Sequence, residues 1–162
     1  MKEIRILIYI LAVILFILLG CEEKDYDDFS VSIILINDLG KQTNSFKEGD
    51  VLTFKFYLTN HSGKEAIYIR PCGEFGEYLK VYKKDNLDVY QYFGQPVYYC
   101  PLIAFTDTII ANETILLTSV PWLTEYGCPE LPLGNYFVGD TLTLHINDEN
   151  YGFTRRIYFD IH

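Results

Sequence analysis

Residues 51–60 read VLTFKFYLTN and alternate between apolar and mainly polar side chains. One parity holds four apolar residues, which are Leu52, Phe54, Phe56 and Leu58. Successive side chains of a β-strand point to opposite faces. The pattern therefore predicts a strand with one buried and one solvent-facing side, as in a β-sandwich.

The same period of two recurs along most of the chain. It predicts further strands at residues 29–36, 65–70, 77–83, 87–93, 106–110, 114–120, 135–146 and 154–161. Turn-forming residues separate them at 47–50, 60–64, 84–86, 111–113 and 147–152. Asp140 falls on the apolar face of the segment 135–146, which requires either a bulge at Gly139 and Asp140 or two separate strands. Seven to nine short strands predict an all-β, immunoglobulin-like antiparallel β-sandwich.

The N-terminus predicts an exported protein. Residues 6–19 form an unbroken run of fourteen apolar residues behind Lys2 and Arg5. This run has the length of a signal-peptide core and is shorter than the ~20 residues needed to span a bilayer. An uncleaved membrane anchor with a buried Cys21 is the alternative interpretation.

The run ends in the sequence LLGC at residues 18–21, which resembles the lipobox of bacterial lipoproteins. The resemblance implies cleavage between Gly20 and Cys21, and attachment of a diacylglyceryl group to the Cys21 sulfur. We therefore expect a signal peptide at 1–20 and an anchor in the outer membrane through lipid on Cys21, because two or more acyl chains give stable attachment.

Residues 22–28 hold five acids and one base, and they predict a disordered acidic tether. With Cys21 this segment forms the region 21–28, and the sandwich domain follows at 29–162. The acidic run is similar to a signal for export to the cell surface; a solvated spacer is the alternative. The whole chain has 162 residues and a formal net charge of -9. That charge argues against nucleic-acid binding, which requires a basic surface.

Three segments resemble the BsuPI-type intracellular proteinase inhibitor domain, an immunoglobulin-like sandwich. They read FKEGDVLTF at 46–54 with LTN at 58–60, then IANET at 110–114, and LPLGNY at 131–136. Gly134 is expected to set a turn, and Tyr136 to donate a tyrosine-corner hydrogen bond. The resemblance implies the fold more strongly than inhibition, because we expect this chain to be exported and because it carries an insertion between Pro71 and Thr106.

Lipidation of Cys21 would leave three cysteines in an oxidising compartment, so we expect one disulfide and one free thiol. Cys100 and Cys128 are the preferred pair, because both precede proline in long irregular segments that a disulfide would constrain. Cys72 is the alternative partner. A three-cysteine metal site is disfavoured, because no histidine lies near these cysteines in sequence.

The sequence predicts no catalytic residues, metal or cofactor. His61 lies in a predicted turn, His145 on the solvent side of a strand, and His162 at the terminus, with no motif that marks a nucleophile. An enzyme would require His61 or His145 beside a carboxylate and a nucleophile. Four acids could hold Ca²⁺ but lack the spacing of a ligand loop: Glu74, Glu77, Asp85 and Asp88.

Aromatic residues concentrate between 87 and 99. The predicted binding surface consists of Tyr90, Tyr92, Phe93, Tyr98 and Tyr99. Tyrosine offers a large contact area with a polar tip, which suits recognition, although rings can equally fill the sandwich. The sequence thus predicts a lipid-anchored, non-enzymatic binding or structural module of the cell envelope with a protein or glycan partner. A proteinase inhibitor acting through loops is the alternative.

Overall fold

The computed structural model describes residues 28–70, 79–96, 105–139 and 141–162, without the side chains of 70 and 105. Twelve strands lie in these ranges. They are β1 Phe29–Ile36, β2 Ser45–Phe46, β3 Leu52–Asn60, β4 Ala66–Arg70, β5 Val81–Lys84, β6 Tyr90–Gly94, β7 Phe105–Ile109, β8 Thr114–Trp122, β9 Gly134–Val138, β10 Thr141–Ile146, β11 Glu149–Thr154 and β12 Ile157–Ile161. A 3-10 turn, Thr124–Tyr126, follows β8.

The strands form three sheets. A three-stranded sheet has the order β1-β3-β8, a four-stranded sheet the order β11-β10-β4-β7, and a five-stranded sheet the order β2-β12-β9-β5-β6. All neighbouring strands are antiparallel except β12 and β2. The inner sides of all three sheets contribute to one hydrophobic core. The predicted all-β, immunoglobulin-like sandwich is confirmed.

Strand β3 has the burial pattern that its sequence predicts. Its apolar parity is buried from Leu52 to Leu58, and the other parity is half-buried. Phe54 and Phe56 are among the most deeply buried side chains, and the Phe54 ring meets the Trp122 ring of β8 edge to face at 6.3 Å. The period of two thus places the core correctly.

Asn60 ends β3 as a fully buried polar residue. Its side-chain amide donates hydrogen bonds to the carbonyls of Lys64 and Ile110, at 2.8 and 3.1 Å. Its Oδ1 accepts from the backbone N–H and the hydroxyl of Ser62. The amide ties the turn after β3 to the turn before β8, and these bonds offset the cost of burying it.

There are more strands than the seven to nine predicted, mainly because the C-terminal half divides differently. The segment 135–146 is two strands, β9 and β10, separated at Gly139, whose φ is +124°. The predicted turn 147–152 is in fact a two-residue loop. Asn147 and Asp148 both have positive φ, as a type I′ hairpin requires, and β11 begins at Glu149. The tight turn lets residues 149–154 pair with β10.

Candidate binding face

The outer side of the five-stranded sheet carries a row of aromatic residues in register. Phe137 of β9 lies opposite Tyr158 of β12 on one side and Tyr82 of β5 on the other, and Tyr82 lies opposite Tyr92 of β6. Directly opposed residues of neighbouring strands point to the same side of a sheet. We call these four residues together with Tyr90 the aromatic face.

The rings of the aromatic face contact one another. Phe137 stacks on Tyr82 with ring centroids 4.6 Å apart, and it meets Tyr90 and Tyr158 at 4.8 and 5.8 Å. Tyr82 meets Tyr92 edge to face at 5.9 Å. Phe137 is only 7% exposed although it points outward, whereas Tyr92 and Tyr158 are 57% and 54% exposed. Phe137 is therefore a covered ring at the centre of the face, and the exposed Tyr92 and Tyr158 lie towards its two ends.

A shallow groove of about 320 Å³ lies beside the row. Tyr90 and Tyr158, whose ring centroids are 6.1 Å apart, form its aromatic wall. The remaining lining includes four polar side chains, from Asn44, Lys84, Asn135 and Asp160. The groove therefore combines ring faces with an ammonium, a carboxylate and two amides.

Charges on this face are nearly balanced. Lys84 Nζ lies 2.8 Å from Asp88 Oδ1, and this hydrogen bond raises the pKa of Lys84. Asp160 Oδ2 accepts a hydrogen bond from Ser45 at 2.8 Å. The Arg156 guanidinium lies 5.0 Å from the centre of the Phe137 ring, a cation–π contact.

The predicted binding residues are divided by the structure. Tyr90 and Tyr92 belong to the aromatic face, and their role in binding stays a prediction. Phe93 has the opposite parity, meets the core residue Tyr136 at 5.7 Å and packs inward, so it does not belong to the face. Tyr98 and Tyr99 lie outside the described residues.

The sequence alone does not single out three members of the face, which are Tyr82, Phe137 and Tyr158. It does not single out Arg156 either. The three rings lie on β5, β9 and β12, far apart in the chain. Alternation contains part of the signal, because Tyr158 is out of phase with the buried Phe159 and Ile161. The pairing of the strands, which places the rings side by side, is not present in any one segment.

The predicted tyrosine corner is present. Tyr136 is fully buried, and its hydroxyl donates a hydrogen bond to the carbonyl of Pro132, four residues upstream. Burial raises the pKa of Tyr136 to about 12. Its ring stacks on Phe159 at 5.2 Å, which fixes β9 against β12 on the inner side of the sheet.

The cysteine predictions stay open. Cys128 is buried at 5% exposure, and the structure records its thiol as free. Its proposed partners Cys100 and Cys72 lie outside the described residues, so the pairing remains a prediction. Gly20 and Cys21, the predicted cleavage and lipidation sites, also lie outside them.

Two histidines lie apart from any convergence of base, acid and nucleophile within the described ranges. His61 Nε2 is 2.7 Å from Ser30 Oγ, and His145 Nδ1 is 3.1 Å from Asn150 Oδ1. The nearest carboxylate oxygen recorded for His145 is Asp148 Oδ1, at 3.9 Å. His61 thus has a hydroxyl neighbour, whereas His145 has an amide and a carboxylate.

His162 joins Ser45 and Asp160 at the exposed end of β12. Its Nδ1 lies 3.2 Å from Ser45 Oγ and 3.3 Å from Asp160 Oδ2. In a serine nucleophile triad the imidazole uses one nitrogen for the hydroxyl and the other for the carboxylate. Here the same nitrogen meets both groups, so this arrangement does not have the geometry of a triad.

The acids considered for Ca²⁺ have other contacts where they are described. Asp85 accepts hydrogen bonds from the backbone N–H groups of Leu87 and Val89 in the β5–β6 turn, and Asp88 pairs with Lys84. Glu74 and Glu77 lie outside the described residues. Within the described ranges, no three His, Cys, Asp or Glu side chains are grouped as a metal site would require.

A larger cavity, about 590 Å³, lies beside the turn between β2 and β3. Trp122 and Leu131 contribute apolar surface to it, and four carboxylates line it: Glu48, Asp50, Glu125 and Glu130. Asp50 accepts from the Lys47 backbone, and Trp122 Nε1 donates to Pro129 O at 2.8 Å. Asp50 and the Trp122 indole are thus engaged within the protein, and Trp122 is the one aromatic residue among the described residues that line the cavity, so the aromatic face with its contacting rings is the better candidate for recognition.

Comparison with known proteins does not assign a family. No protein-family model matches the chain, and the curated proteins give no significant match. Matching solved structures include the X-ray structure of Northeast Structural Genomics Consortium target SoR45, at 13% identity and a TM-score of 0.37. That match covers 83% of this chain and 87% of the other. Likeness at this level supports no conclusion about function.

Helices long and apolar enough to cross a membrane are absent from the described ranges.

Proposed function

We propose that this protein is a non-enzymatic binding module, held at the outer membrane by lipid on Cys21 and displayed towards the cell surface. The aromatic face is the observation that carries the binding role. The lipobox resemblance at 18–21 and the acidic tether at 22–28 support the anchoring. The tether would let the sandwich extend from the membrane while its charge keeps it off anionic lipid.

Exposure of the rings favours recognition over packing alone. Phe137 is already covered by its neighbours, so the outer halves of Tyr92 and Tyr158 add little to burial. Exposed aromatic surface carries a hydration cost that a bound partner would remove. Tyrosine also loses little side-chain entropy on binding and offers a hydroxyl to the partner.

The anchoring is tested by the substitution Cys21→Ser in the full chain, expressed in a Gram-negative host. We expect loss of metabolic labelling with fatty acid and loss of lipoprotein processing at residue 20. Cys72→Ser is the matched control and should retain both. Unchanged labelling and processing of the Cys21→Ser protein would refute the lipid anchor.

The binding role is tested by placing a photo-crosslinking amino acid at position 92 of the anchored chain. Position 126 is the control, because Tyr126 is also 57% exposed but lies on the 3-10 turn. We expect adducts from position 92, of one mass or a distribution of masses, that are absent from position 126. Identical adduct patterns, or none from position 92, would count against this face as the binding site.

Loop-based proteinase inhibition is not favoured by the described contacts. Residues that carry the resemblance to the inhibitor domain serve the fold: Asn60 ties two turns, and Tyr136 forms the corner hydrogen bond. The resemblance therefore supports a shared architecture. We expect the purified chain to leave the rates of a protease panel unchanged, and dose-dependent inhibition of any member would favour the alternative.

A further inference from the structure

We infer that the ligand of the aromatic face is a neutral oligosaccharide built of pyranose rings. This inference rests on the proposed binding role and specifies the partner's chemistry. The starting observation is the groove between Tyr90 and Tyr158, where two inclined rings stand beside four polar side chains.

The mixture of groups fits a sugar. A pyranose ring presents an apolar face of C–H groups, which packs on an aromatic ring, and a rim of hydroxyls that both donate and accept hydrogen bonds. The groove offers both elements. Within the described residues, the side-chain amides of Asn44 and Asn135 make no hydrogen bond to other groups, so each can donate to and accept from hydroxyls.

The charges favour a neutral ligand. Lys84 is paired with Asp88, Asp160 accepts a hydrogen bond from Ser45, and Arg156 adds a second cation to the face, so two cationic side chains stand against two carboxylates. No excess of either sign is left to neutralise a polyanion. The chain's net charge of -9 would in addition repel one at long range. An acyl chain is equally disfavoured, because the groove is open and partly polar.

The extent of the row favours several sugar rings over one. The aligned residues Tyr158, Phe137, Tyr82 and Tyr92 cross four strands, and neighbouring strands are about 4.8 Å apart, which gives a row of roughly 14 Å. Its two ends are the more exposed rings, Tyr92 and Tyr158. We therefore expect affinity to rise with chain length until both end tyrosines are in contact.

The test uses the full chain in detergent micelles and native affinity electrophoresis against soluble polysaccharides. Neutral probes are a mixed-linkage β-glucan, xyloglucan, mannan, xylan and amylose; anionic probes are alginate and polygalacturonate. We expect at least one neutral probe to retard the protein and neither anionic probe to do so. Titration calorimetry with oligosaccharides of the retarding type then measures the length dependence.

Tyr92→Ala and Tyr158→Ala should each weaken that binding by roughly tenfold, the scale expected for loss of one stacked aromatic contact. Tyr126→Ala, with equal exposure away from the face, should leave it unchanged. Melting temperatures identify any variant that fails to fold. Tyr92→Ala is the safer of the two, because Tyr92 lies at the edge of the row and its ring contacts Tyr82 alone among the face residues.

Failure of this inference differs from failure of the proposed function. Crosslinking of a protein at position 92, without retardation by any neutral polysaccharide, would overturn the glycan assignment and leave the binding role intact. Retardation by the anionic probes alone would also overturn it. Neutral binding that persists in both tyrosine variants would overturn the site.

Discussion

The central strands of two sheets, β3 and β9, follow the same rule on their inner sides and differ on their outer sides. Outward positions of β3 hold Thr53, Lys55, Tyr57 and Thr59, all half-buried, and the residues opposite them on β1 and β8 are a mixture of polar and aliphatic side chains without an aromatic ring. The outward residues of β9 are Asn135 and Phe137, and the Phe137 ring is enclosed by three other rings. An alternating pattern thus specifies which residues point outward, whereas the register of the neighbours decides what that outer surface becomes.

The largest effect is expected where the chain leaves β9. A Cβ on Gly139 would overlap the carbonyl oxygen of Arg155, and φ there is +124°, which side chains rarely adopt. Gly139→Ala should lower the free energy of unfolding by roughly 3–5 kcal/mol, through backbone strain and the clash together. Gly63→Ala is the control, because its Cβ would meet open space. Urea denaturation measures both, and equal midpoints would contradict the strain.

The next comparison concerns the two outer faces directly. Phe137→Ala should destabilise by about 3 kcal/mol, as for an aromatic residue in a core. Tyr57→Ala on the outer side of β3 should cost about 1 kcal/mol, because that ring is only half-buried. If both variants lose the same stability, the rings around Phe137 do not stabilise the fold as a packed aromatic cluster.

A smaller effect is expected at the inner side of β9. Tyr136→Phe removes the hydrogen bond to Pro132 and should cost about 1 kcal/mol at pH 7. Burial raises the pKa of Tyr136 to about 12, above the usual value of about 10, so the free energy of unfolding is not affected by ionisation of this phenol below pH 10. Above pH 10 the phenol ionises in the unfolded state first, and the free energy of unfolding falls by about 2 kcal/mol as the pH reaches 12.

Denaturation of both proteins between pH 8 and pH 11.5 tests that linkage. The wild type should lose stability more steeply than Tyr136→Phe above pH 10, because only the wild type must keep this phenol neutral. Other tyrosines and lysines titrate equally in both proteins and cancel in the difference. Parallel curves would mean that Tyr136 ionises in the folded state as it does in water.

The smallest effect concerns the cation on the aromatic face. Arg156→Gln removes the cation–π contact with Phe137 and should cost about 0.5–1 kcal/mol, since the guanidinium is exposed. Arg156→Lys should retain part of this. Thermal melts in low and high salt measure the difference. A larger loss of stability in Arg156→Lys than in Arg156→Gln would contradict the assigned contact.

The sequence predicts the fold well where burial depends on one strand. β1 has the predicted bounds, and β3 has the predicted alternation. In both strands, the order of apolar and polar residues within the strand itself decides which side is buried. The β10–β11 hairpin was missed, because residues 147–152 contain turn-forming side chains throughout, and only Asn147 and Asp148 take the turn conformation. Local preference cannot choose among several adequate turn positions, whereas pairing with β10 can.

The candidate site was predicted less completely. Tyr90 and Tyr92 stand out as neighbours in sequence. Phe137 is conspicuous only after three other strands are aligned beside it, so its role depends on non-local register. Phe93 shows the converse error, since membership in an aromatic run does not fix the direction in which a ring points.

The long pairing of β1 with β3 has a mechanical consequence. In the proposed arrangement, a bound ligand pulls on the sandwich while the lipid holds the chain at its N-terminal end, so tension enters the domain at Phe29. From there, eight consecutive residues pair with β3 without a register shift, from Phe29 with Asn60 to Ile36 with Thr53. Tension directed along β1 loads this ladder in shear, and its hydrogen bonds must then yield together. The strand that joins the sandwich to its anchor would resist detachment by force, which single-molecule pulling from the N-terminus would measure.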